Sequence, residues 1–341
     1  MHINSVLGPI APAQLGITLG HEHLLIDLRN LWDNPPPERA HLVDQEPTID
    51  NRGELVRNPY DSKPNLLLDD AELSISELLR YREAGGQSLI EMTTVGIKPV
   101  PELLCGISRQ TGIHIVAGCG YYRQPFLAQS LHDRSTEEIT DDLLQWLAEG
   151  MYGTAIRAGL MGELGTSSPI HPFEERQLRA AARVQRQTGA SINVHPSIWA
   201  HEHLCILDIL EEEGANLSRV IISHCDELAE PAWHARIAER AAVLSFDTFG
   251  SETFFDRSFQ QEPRDTDRIE CVLRLLEKGY GAQLILSHDI CTRIQLHRYG
   301  GWGWDHLLCN IVPRLRHAGV SQQELDTIFI DTPERLLTLP G

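Results

Sequence analysis

The stretch Gly16-Ile17-Thr18-Leu19-Gly20-His21-Glu22-His23 joins a short apolar, β-branched run to three polar residues of a kind that binds metals. Short apolar runs of this length recur along the chain, and each is typical of a buried strand. The runs that we predict to be strands cover residues 16–20, 88–93, 114–119, 156–163, 190–195, 220–224, 243–247 and 283–288.

Amphipathic segments with helical periodicity lie between these runs. They cover residues 70–84, 136–150, 173–188, 206–214, 233–240 and 267–278, and glycines stand where several of them should end, as at Gly189 and Gly214. Strands that alternate with helices are joined as parallel neighbours by right-handed crossovers. Eight such strands close into a barrel, and no glycine-rich dinucleotide fingerprint follows the first strand. The sequence therefore predicts an α/β fold, a (β/α)8 TIM barrel.

Long loops interrupt this rhythm after strands 1, 7 and 8. Residues 29–65 are polar and proline-bearing, with too few apolar side chains for a core of their own, so we interpret them as an extended loop after strand 1. Residues 248–264 follow strand 7 and carry Phe249, Phe254 and Phe255. Barrel enzymes build substrate pockets from such loops at the C-terminal ends of the strands. We predict that residues 1–341 form one barrel domain.

The composition limits the classes of partner. The formal net charge of -19 is not concentrated in one run, and the sequence lacks the clustered Lys and Arg that bind nucleic acid. No apolar run approaches the length of a membrane helix, and the first residues do not resemble a signal peptide. The 7 cysteines form no CxxC pair, which is typical of reduced thiols. We expect a cytoplasmic protein that acts on a small molecule, with neither nucleic acid nor membrane as partner.

Metal-type side chains stand at the ends of five predicted strands. They are His21, His23, Glu163, His195, His224 and Asp289. Residues i and i+2 of a strand face the same side, so His21 and His23 can both face the barrel axis while Glu22 faces away. The C-terminal ends of the parallel strands share one end of the barrel, so the six side chains should converge there. Four imidazoles and two carboxylates suit a pair of divalent ions and leave positions for water and substrate.

Three neighbouring features need separate interpretations. The tripeptide His201-Glu202-His203 repeats the same three letters beyond a strand end, and we expect it not to bind the catalytic metals. His288 should point away from the side that Asp289 faces, so we interpret it as structural. Asp226 shares a side with His224, and it either orients that imidazole or is a solvated loop aspartate.

The ordered set of residues resembles the amidohydrolase superfamily, and within it the phosphotriesterase family. The resemblance runs from about residue 6 to residue 336. Besides 16–23, the segments that carry it are Ile192-Asn193-Val194-His195, Ile222-Ser223-His224-Cys225-Asp226, Leu286-Ser287-His288-Asp289, Gly118-Cys119-Gly120-Tyr121-Tyr122 and Tyr299-Gly300-Gly301.

Glu163 stands where many members of this family carry a carboxylated lysine on the fourth strand. This is similar to the subgroup of phosphotriesterase homology and phosphotriesterase-related proteins. A carboxylate, like a carbamate, offers two anionic oxygens to two cations. The resemblance implies one metal at His21, His23 and Asp289, a second at His195 and His224, and Glu163 between them. It also implies a homodimer.

The same resemblance implies a metal-dependent hydrolase with two divalent cations per chain. Zinc is our first expectation, and Mn, Co, Ni or Fe also suit imidazole and carboxylate ligands. A hydroxide shared by the two cations would attack a carbonyl or phosphoryl centre, and Asp289 would pass the proton to the leaving group.

Three functions fit this chemistry. Our first expectation is the hydrolysis of carboxylic esters, above all lactones, with phosphoesters as a promiscuous activity. The alternative is an amidase for N-acyl compounds such as acylated amino acids or aminosulfonates. A third is a barrel that binds small molecules without turnover.

Loop residues at the mouth supply candidates for substrate binding. They are Tyr122, Lys98, Arg293, Tyr299 and Trp302. Aromatic rings together with arginines could hold a substrate that has an apolar part and an anionic group. Trp302 could instead pack against loops or a dimer partner, and Lys98 could be an ordinary surface lysine.

Overall fold

A computed structural model describes residues 1–339, so 340 and 341 of the predicted domain lie outside the described residues. Eight parallel strands form one sheet in chain order. They are β1 (Thr18–Glu22), β2 (Ser88–Glu91), β3 (His114–Cys119), β4 (Leu160–Gly165), β5 (Ile192–His195), β6 (Val220–Ile222), β7 (Val243–Phe246) and β8 (Leu284–Leu286). The first and last strands meet, and the Asp289 backbone N–H donates to the His21 carbonyl at 3.3 Å. The predicted (β/α)8 barrel is confirmed.

Helices cover the outside of the sheet. They are α1 (Ala71–Glu83), α2 (Pro101–Thr111), α3 (Thr136–Ala148), α4 (Pro172–Thr188), α5 (His203–Glu212), α6 (Pro231–Ala238), α7 (Asp265–Glu277), α8 (Val312–His317), α9 (Gln322–Asp326) and α10 (Thr332–Leu337). Local signals set their ends: Ser135 and Glu138 form a capping box at the start of α3, and Gly189 ends α4 with φ 73°.

The predicted fourth strand begins too early. Its first residues, 156–159, lie outside β4 because their backbone groups bond elsewhere. The Ala158 N–H donates to the Trp146 carbonyl at 3.0 Å, and the Ala158 carbonyl accepts from Asn4 Nδ2 at 3.0 Å. The apolar pattern continues through this segment, but strand pairing begins only at Leu160.

Apolar side chains fill the barrel interior and leave only one end free for chemistry. Side chains from several strands form a buried cluster, among them Ile90, Val116, Leu160, Ile221, Val243 and Ile285. Ile3, from the antiparallel pair Ile3–Ser5 and Gly8–Ile10, joins the same cluster together with Leu336 and Leu337 of α10. The N-terminal end of the barrel is therefore plugged, and the polar strand ends lie at the opposite end.

The long loops pack on one another above that opposite end. Residues 29–65 contain short helical turns, at Arg29–Leu31, Pro37–Leu42, Arg52–Leu55, Pro59–Asp61 and Pro64–Leu66. Leu42 and Leu55 pack with Ile294 of the loop after β8. The loop after β7 forms the strand pair Phe254–Phe255 and Gln260–Gln261. The predicted extended loop thus obtains its apolar contacts partly from another loop.

Two further observations concern the chain as a whole. The described residues contain no helix that is both long enough and apolar enough to cross a membrane. All 7 cysteines are free thiols, and Cys119, Cys225 and Cys271 are buried.

Candidate metal centre

Four imidazoles surround one carboxylate at the C-terminal mouth of the barrel. Glu163 Oε2 lies 3.6 Å from His21 Nε2 and 3.0 Å from His195 Nδ1. Glu163 Oε1 lies 3.5 Å from His23 Nε2, and Oε2 lies 4.0 Å from His224 Nε2. The donor atoms form two groups that share Glu163, one with His21 and His23 and one with His195 and His224, and the donor atoms within each group lie within 4.8 Å of one another.

Asp289 completes the set on one side of Glu163. Its Oδ1 atom lies 3.2 Å from His23 Nε2 and 3.7 Å from His21 Nε2. Its side chain is 19% exposed, whereas that of Glu163 is 2% exposed. All six side chains singled out in the sequence therefore lie together, and Asp289 is the more exposed of the two carboxylates.

Local irregularities aim these side chains. The register of β1 against β2 shifts between Leu19 and Glu22, and that of β4 against β5 shifts between Met161 and Leu164. Such bulges re-aim side chains next to active sites. β1 ends at Glu22, so His23 lies one residue past the strand, yet its ring centroid is 5.3 Å from that of His21. The sequence prediction that both imidazoles face the centre holds, although simple strand alternation is interrupted there.

Two of the six residues have left-handed backbone conformations. The φ angle is 54° at His224 and 49° at Asp289. This region is uncommon for residues with a Cβ and costs about 1–3 kcal/mol, so it persists only where neighbouring contacts enforce it. At His224 one such contact comes from Asp247, whose Oδ1 atom accepts from the His224 backbone N–H at 2.9 Å.

Each imidazole has one ring nitrogen held by the protein and the other aimed at the centre. His23 Nδ1 lies 2.9 Å from Thr93 Oγ1, and His195 Nε2 lies 3.2 Å from the Tyr122 hydroxyl. His21 Nδ1 lies 3.0 Å from Ser223 Oγ. Partners of this kind fix the orientation of ligand histidines in metal sites.

Asp247 joins the two halves of the site, and the sequence analysis did not assign it a role. Its Oδ1 atom lies 2.9 Å from His224 Nδ1, and its Oδ2 atom lies 3.3 Å from His21 Nδ1. Burial alone would raise the pKa of Asp247, but His224 and His21 hold it well below the usual range. The sequence could have indicated this role, because Asp247 directly follows β7 and no other residue at that strand end had been assigned to the site.

Asp226 has neither of the two roles that were predicted for it. It is buried, and it makes no hydrogen bond to the His224 ring. It accepts from the Asp247 N–H at 3.1 Å, from the Thr248 N–H at 3.0 Å and from Arg268 Nε at 2.9 Å. The predictions that it orients the imidazole directly or lies in solvent are wrong, because it fixes the backbone that carries Asp247.

Unpartnered atoms at the centre fit bound cations. Among the described residues, the buried atoms His21 Nε2 and Glu163 Oε2 have no hydrogen-bond partner. A buried polar group without a partner costs about 1–3 kcal/mol, and coordination would remove that cost. The donor set of imidazole nitrogens and carboxylate oxygens suits first-row divalent ions. The residues present therefore fit a metal centre.

The electrostatics of the cluster also favour cations. Burial lowers the pKa of His23, but Asp289 and Glu163 outweigh it and raise the pKa to about 9. Burial likewise opposes the charged form of His224, yet Asp247, Asp289 and Glu163 raise its pKa to about 10. Three carboxylates packed among these rings therefore demand compensating positive charge, which either protons or metal ions supply.

Glu22 and His288 stabilise the scaffold beside the centre. Glu22 is fully buried and accepts from Ser287 Oγ at 2.6 Å, from the His288 backbone N–H at 3.0 Å and from Trp304 Nε1 at 3.0 Å. His288 Nδ1 lies 2.7 Å from Glu22 Oε1, and the Leu307 N–H donates to His288 Nε2 at 3.0 Å. The structural interpretation of His288 agrees with these contacts, and Glu22 links β1 to the segment after β8.

A cavity of about 130 Å³ opens over the centre. Of the residues proposed from sequence to contact substrate, Tyr122 lines it. Within residues 1–339, the other four lie outside its lining. Lys98 borders a separate cavity near Leu67 and Leu103, and Arg293 is paired with Glu46 and Asp69.

The two remaining candidates lie elsewhere in the loop after β8. Trp302 is 53% exposed and stacks on His306, with ring centroids 4.9 Å apart. The Tyr299 carbonyl accepts from Arg52 Nε at 3.1 Å. Arg123, by contrast, does line the cavity, and the sequence analysis did not single it out.

Comparison with known proteins gives matches over nearly the whole chain. A model of the phosphotriesterase family matches residues 1–337. The N-acetyltaurine hydrolase of Xenopus tropicalis is 36% identical over 341 residues, which cover 98% of this chain and 97% of that protein.

Solved structures agree with this match. A resiniferatoxin-binding protein from Rhodobacter sphaeroides is 36% identical with a TM-score of 0.96, over 98% of this chain and 94% of that one. The phosphotriesterase homology protein from Escherichia coli, with phosphate in its active site, is 29% identical with a TM-score of 0.79, over 95% and 99%. A lactonase from Listeria monocytogenes has a TM-score of 0.80 over 100% of both chains, but at 24% identity it shows the fold alone.

Proposed function

The chain belongs to the phosphotriesterase family, and on that premise we propose that it hydrolyses N-acyl amides at a binuclear metal centre. It is a metal-dependent hydrolase, and proteins named N-acetyltaurine hydrolase are among its relatives. The observation that carries the proposal is the pair of donor groups that share Glu163, with buried atoms that lack partners.

In this proposal the six residues hold two divalent ions. His21, His23 and Asp289 would hold one, His195 and His224 the other, and Glu163 would serve both. Zinc remains our first expectation. When bound, such a pair polarises the scissile carbonyl and lowers the pKa of water enough to supply a nucleophile near neutral pH.

Asp289 is the proton carrier of the proposed reaction. Burial opposes its charged form, but the hydrogen bond with His23 and the charges of His21 and His224 hold the pKa of Asp289 far below its usual range, so it begins ionised. Water supplies hydroxide to the acyl carbon, the C–N bond breaks, and Asp289 conveys the released proton to the departing nitrogen. The products are a carboxylic acid and an amine, which become a carboxylate and an ammonium ion at neutral pH, and Asp289 returns to its ionised form.

The choice of scissile bond follows the relatives. Our sequence-based first expectation was a lactone, and the lactonase of Listeria supports the fold but at 24% identity says nothing of the substrate. The relative named for an amide hydrolase is 36% identical over nearly full length. N-acetyltaurine is an N-acyl aminosulfonate, the class that we named as the alternative. We therefore place N-acyl amides of acidic amines first and lactones second.

The non-catalytic alternative is the weakest of the three. A relative is named for binding resiniferatoxin, and a binding barrel would share this fold. Binding alone, however, needs neither an ionised Asp289 at the cavity nor carboxylates that hold imidazoles in position. We therefore propose turnover.

A substrate panel tests the proposal. Metal-reconstituted protein would be given N-acetyltaurine, N-acetyl amino acids, aliphatic lactones, carboxylic esters and a phosphotriester, with kcat/KM measured for each. We expect the highest kcat/KM for an N-acyl amide. A higher kcat/KM for a lactone than for every amide would make the chain a lactonase. If metal-loaded protein turned over no substrate of any class, the non-catalytic binding barrel would be the remaining interpretation.

A further inference from the structure

We propose that Arg123 binds an acidic group of the substrate, a carboxylate or a sulfonate, beside the metal centre. The inference rests on the proposed function and deepens it, because it assigns the recognition of the acidic amine to one residue. Nothing in the sequence motifs singled out this arginine.

The end of β3 carries Arg123 into the cavity. Tyr122 and Arg123 follow that strand and line the same cavity as Glu163 and His195. The backbone passes close over Gly165 at the end of β4, where an added Cβ would lie 2.3 Å from the Arg123 nitrogen. The Arg123 backbone can pass this point only because residue 165 is a glycine. This close approach fixes the position of the Arg123 backbone. Phe126 lies beneath the guanidinium, which is 5.7 Å from its ring centroid.

The guanidinium of Arg123 lacks the partner that its neighbours have. Its Nε atom is buried without a hydrogen-bond partner, and no carboxylate among residues 1–339 lies within 4.0 Å of its nitrogens. Three other arginines of the loops around the mouth are paired with acids. Arg39 and Arg257 contact Asp61, at 2.6 Å and 2.9 Å, and Arg293 lies 3.2 Å from Asp69. In a chain with 48 acidic and 29 basic residues, an arginine at a cavity without an acidic partner points to a ligand that supplies one.

The remaining charges of the cavity leave few other places for an anion. Its lining includes the buried acids Glu227 and Glu262, and within the described residues Arg123 is its one arginine or lysine. Glu227 accepts from Trp199 Nε1 at 3.0 Å, and Glu262 accepts from Ser251 Oγ at 2.6 Å. Neither acid supplies the positive charge that an acidic group of the substrate requires. A substrate anion is therefore directed to Arg123, while the amide lies over Glu163 and Asp289.

The chemistry of arginine sets the class of ligand. The planar fork can donate two parallel hydrogen bonds to a carboxylate or to a sulfonate, whereas lysine offers a single point charge. Arg123 should therefore discriminate acidic from uncharged amides and accept both kinds of acid.

The test compares two variants on a matched pair of amides. Arg123→Met removes the proposed contact, and Arg109→Met removes the same charge from an exposed position on α2. Steady-state kinetics would use N-acetyltaurine and the uncharged N-acetylethanolamine. For Arg123→Met we expect kcat/KM for N-acetyltaurine to fall about 10- to 100-fold, mainly through KM, as loss of a charge-assisted hydrogen bond implies. The uncharged amide should change less than about 3-fold, and Arg123→Lys should restore part of the loss.

A binding measurement separates this inference from the proposed function. Calorimetry with propane-1-sulfonate on metal-loaded protein needs no turnover, and we expect about 10-fold weaker binding in Arg123→Met and no change in Arg109→Met. Circular dichroism and metal content establish that each variant is folded. Equal losses for both amides, or sulfonate binding that survives in folded Arg123→Met, would overturn the assignment. If no amide is cleaved but sulfonate binding depends on Arg123, the proposed reaction fails and the anion site stands.

Discussion

The same tripeptide, His-Glu-His, occurs twice in this chain, and the two copies lie in unlike surroundings. His21-Glu22-His23 ends β1, where both imidazoles face Glu163 and Glu22 is fully buried. His201-Glu202-His203 precedes α5 and runs into its first turn. His201 lies exposed, 3.1 Å from Glu230, and His203 is buried and accepts from Trp233 Nε1 at 3.2 Å. Position on the fold, rather than residue type, decides which copy can hold a metal.

The difference lies in which ring nitrogens are used. In the first copy each Nδ1 has a protein partner, and each Nε2 faces carboxylates at the barrel mouth. In the second copy the ring nitrogens have separate hydrogen-bond partners and share no carboxylate. A metal centre needs donor atoms that converge on one point, and the strand ends of a barrel provide that arrangement.

Substitution of the acid beside each His-Glu-His copy should have very different consequences for activity, and the greatest loss is expected at Asp289. Asp289→Asn keeps the shape of the side chain but removes the proton acceptor, so we expect kcat to fall by about 10²- to 10⁴-fold, the usual contribution of a general base. Glu230→Gln is the matched control, because it removes the acid beside His201. Steady-state kinetics on metal-loaded protein checks both, and near-normal turnover in Asp289→Asn would remove that residue from proton transfer.

Asp247→Asn should have the next largest effect. The carboxylate orients His21 and His224 at once, and loss of such a partner typically weakens metal affinity about 10- to 100-fold. Titration of the metal-free variant with zinc and a competing chelator measures this affinity. Asp226→Asn is a second variant of interest, since it acts one step further away and should weaken affinity less. Unchanged affinity in Asp247→Asn would mean that the two imidazoles hold their positions without it.

The same contrast shows which features of the fold and the site can be predicted from sequence. Strand and helix periodicity, with metal-type residues at strand ends, were sufficient for the barrel and for the convergence of six side chains. That Asp247 rather than Asp226 faces His224 depends on the turn after β6, where His224 is left-handed. Residue spacing alone does not reveal such a turn.

Which loop residues line the cavity could not be predicted, for a different reason. Lys98, Arg293, Tyr299 and Trp302 were chosen for their chemistry and their place after strands, but loop residues are positioned by contacts between distant segments. Leu55, for example, packs with Ile294, and the Asn65 side chain accepts from the Ile294 N–H at 3.0 Å. Arg123 was missed because its significance lies in the absence of an acidic partner, which only coordinates can reveal.

The smallest expected effect concerns the second copy alone. Burial lowers the pKa of His203 to about 4, so the native state keeps this ring neutral while the unfolded chain takes up a proton near pH 6.5. Its contribution to stability is therefore present above that pH and is lost as the pH falls towards 4. His203→Gln does not titrate, so between pH 7 and pH 5 it should lose about 1 to 2 kcal/mol less unfolding free energy than the wild type.

Urea unfolding at several pH values measures this difference, with His201→Gln as the exposed control. Metal content and kcat at pH 7 should not change in either variant. If the unfolding free energies of the wild type and of His203→Gln had the same pH dependence, His203 would not be held neutral in the native state.

The most direct test of the account is the metal content per chain, measured by elemental analysis after removal of metal and reconstitution with zinc. We expect about two ions for the wild type and for a variant with both His201→Ala and His203→Ala, and a sharp fall in Glu163→Ala, with no dependence on added bicarbonate because Glu163 needs no carboxylation. Protein that is folded but binds no zinc, or that retains two ions in Glu163→Ala, would contradict a centre built around Glu163.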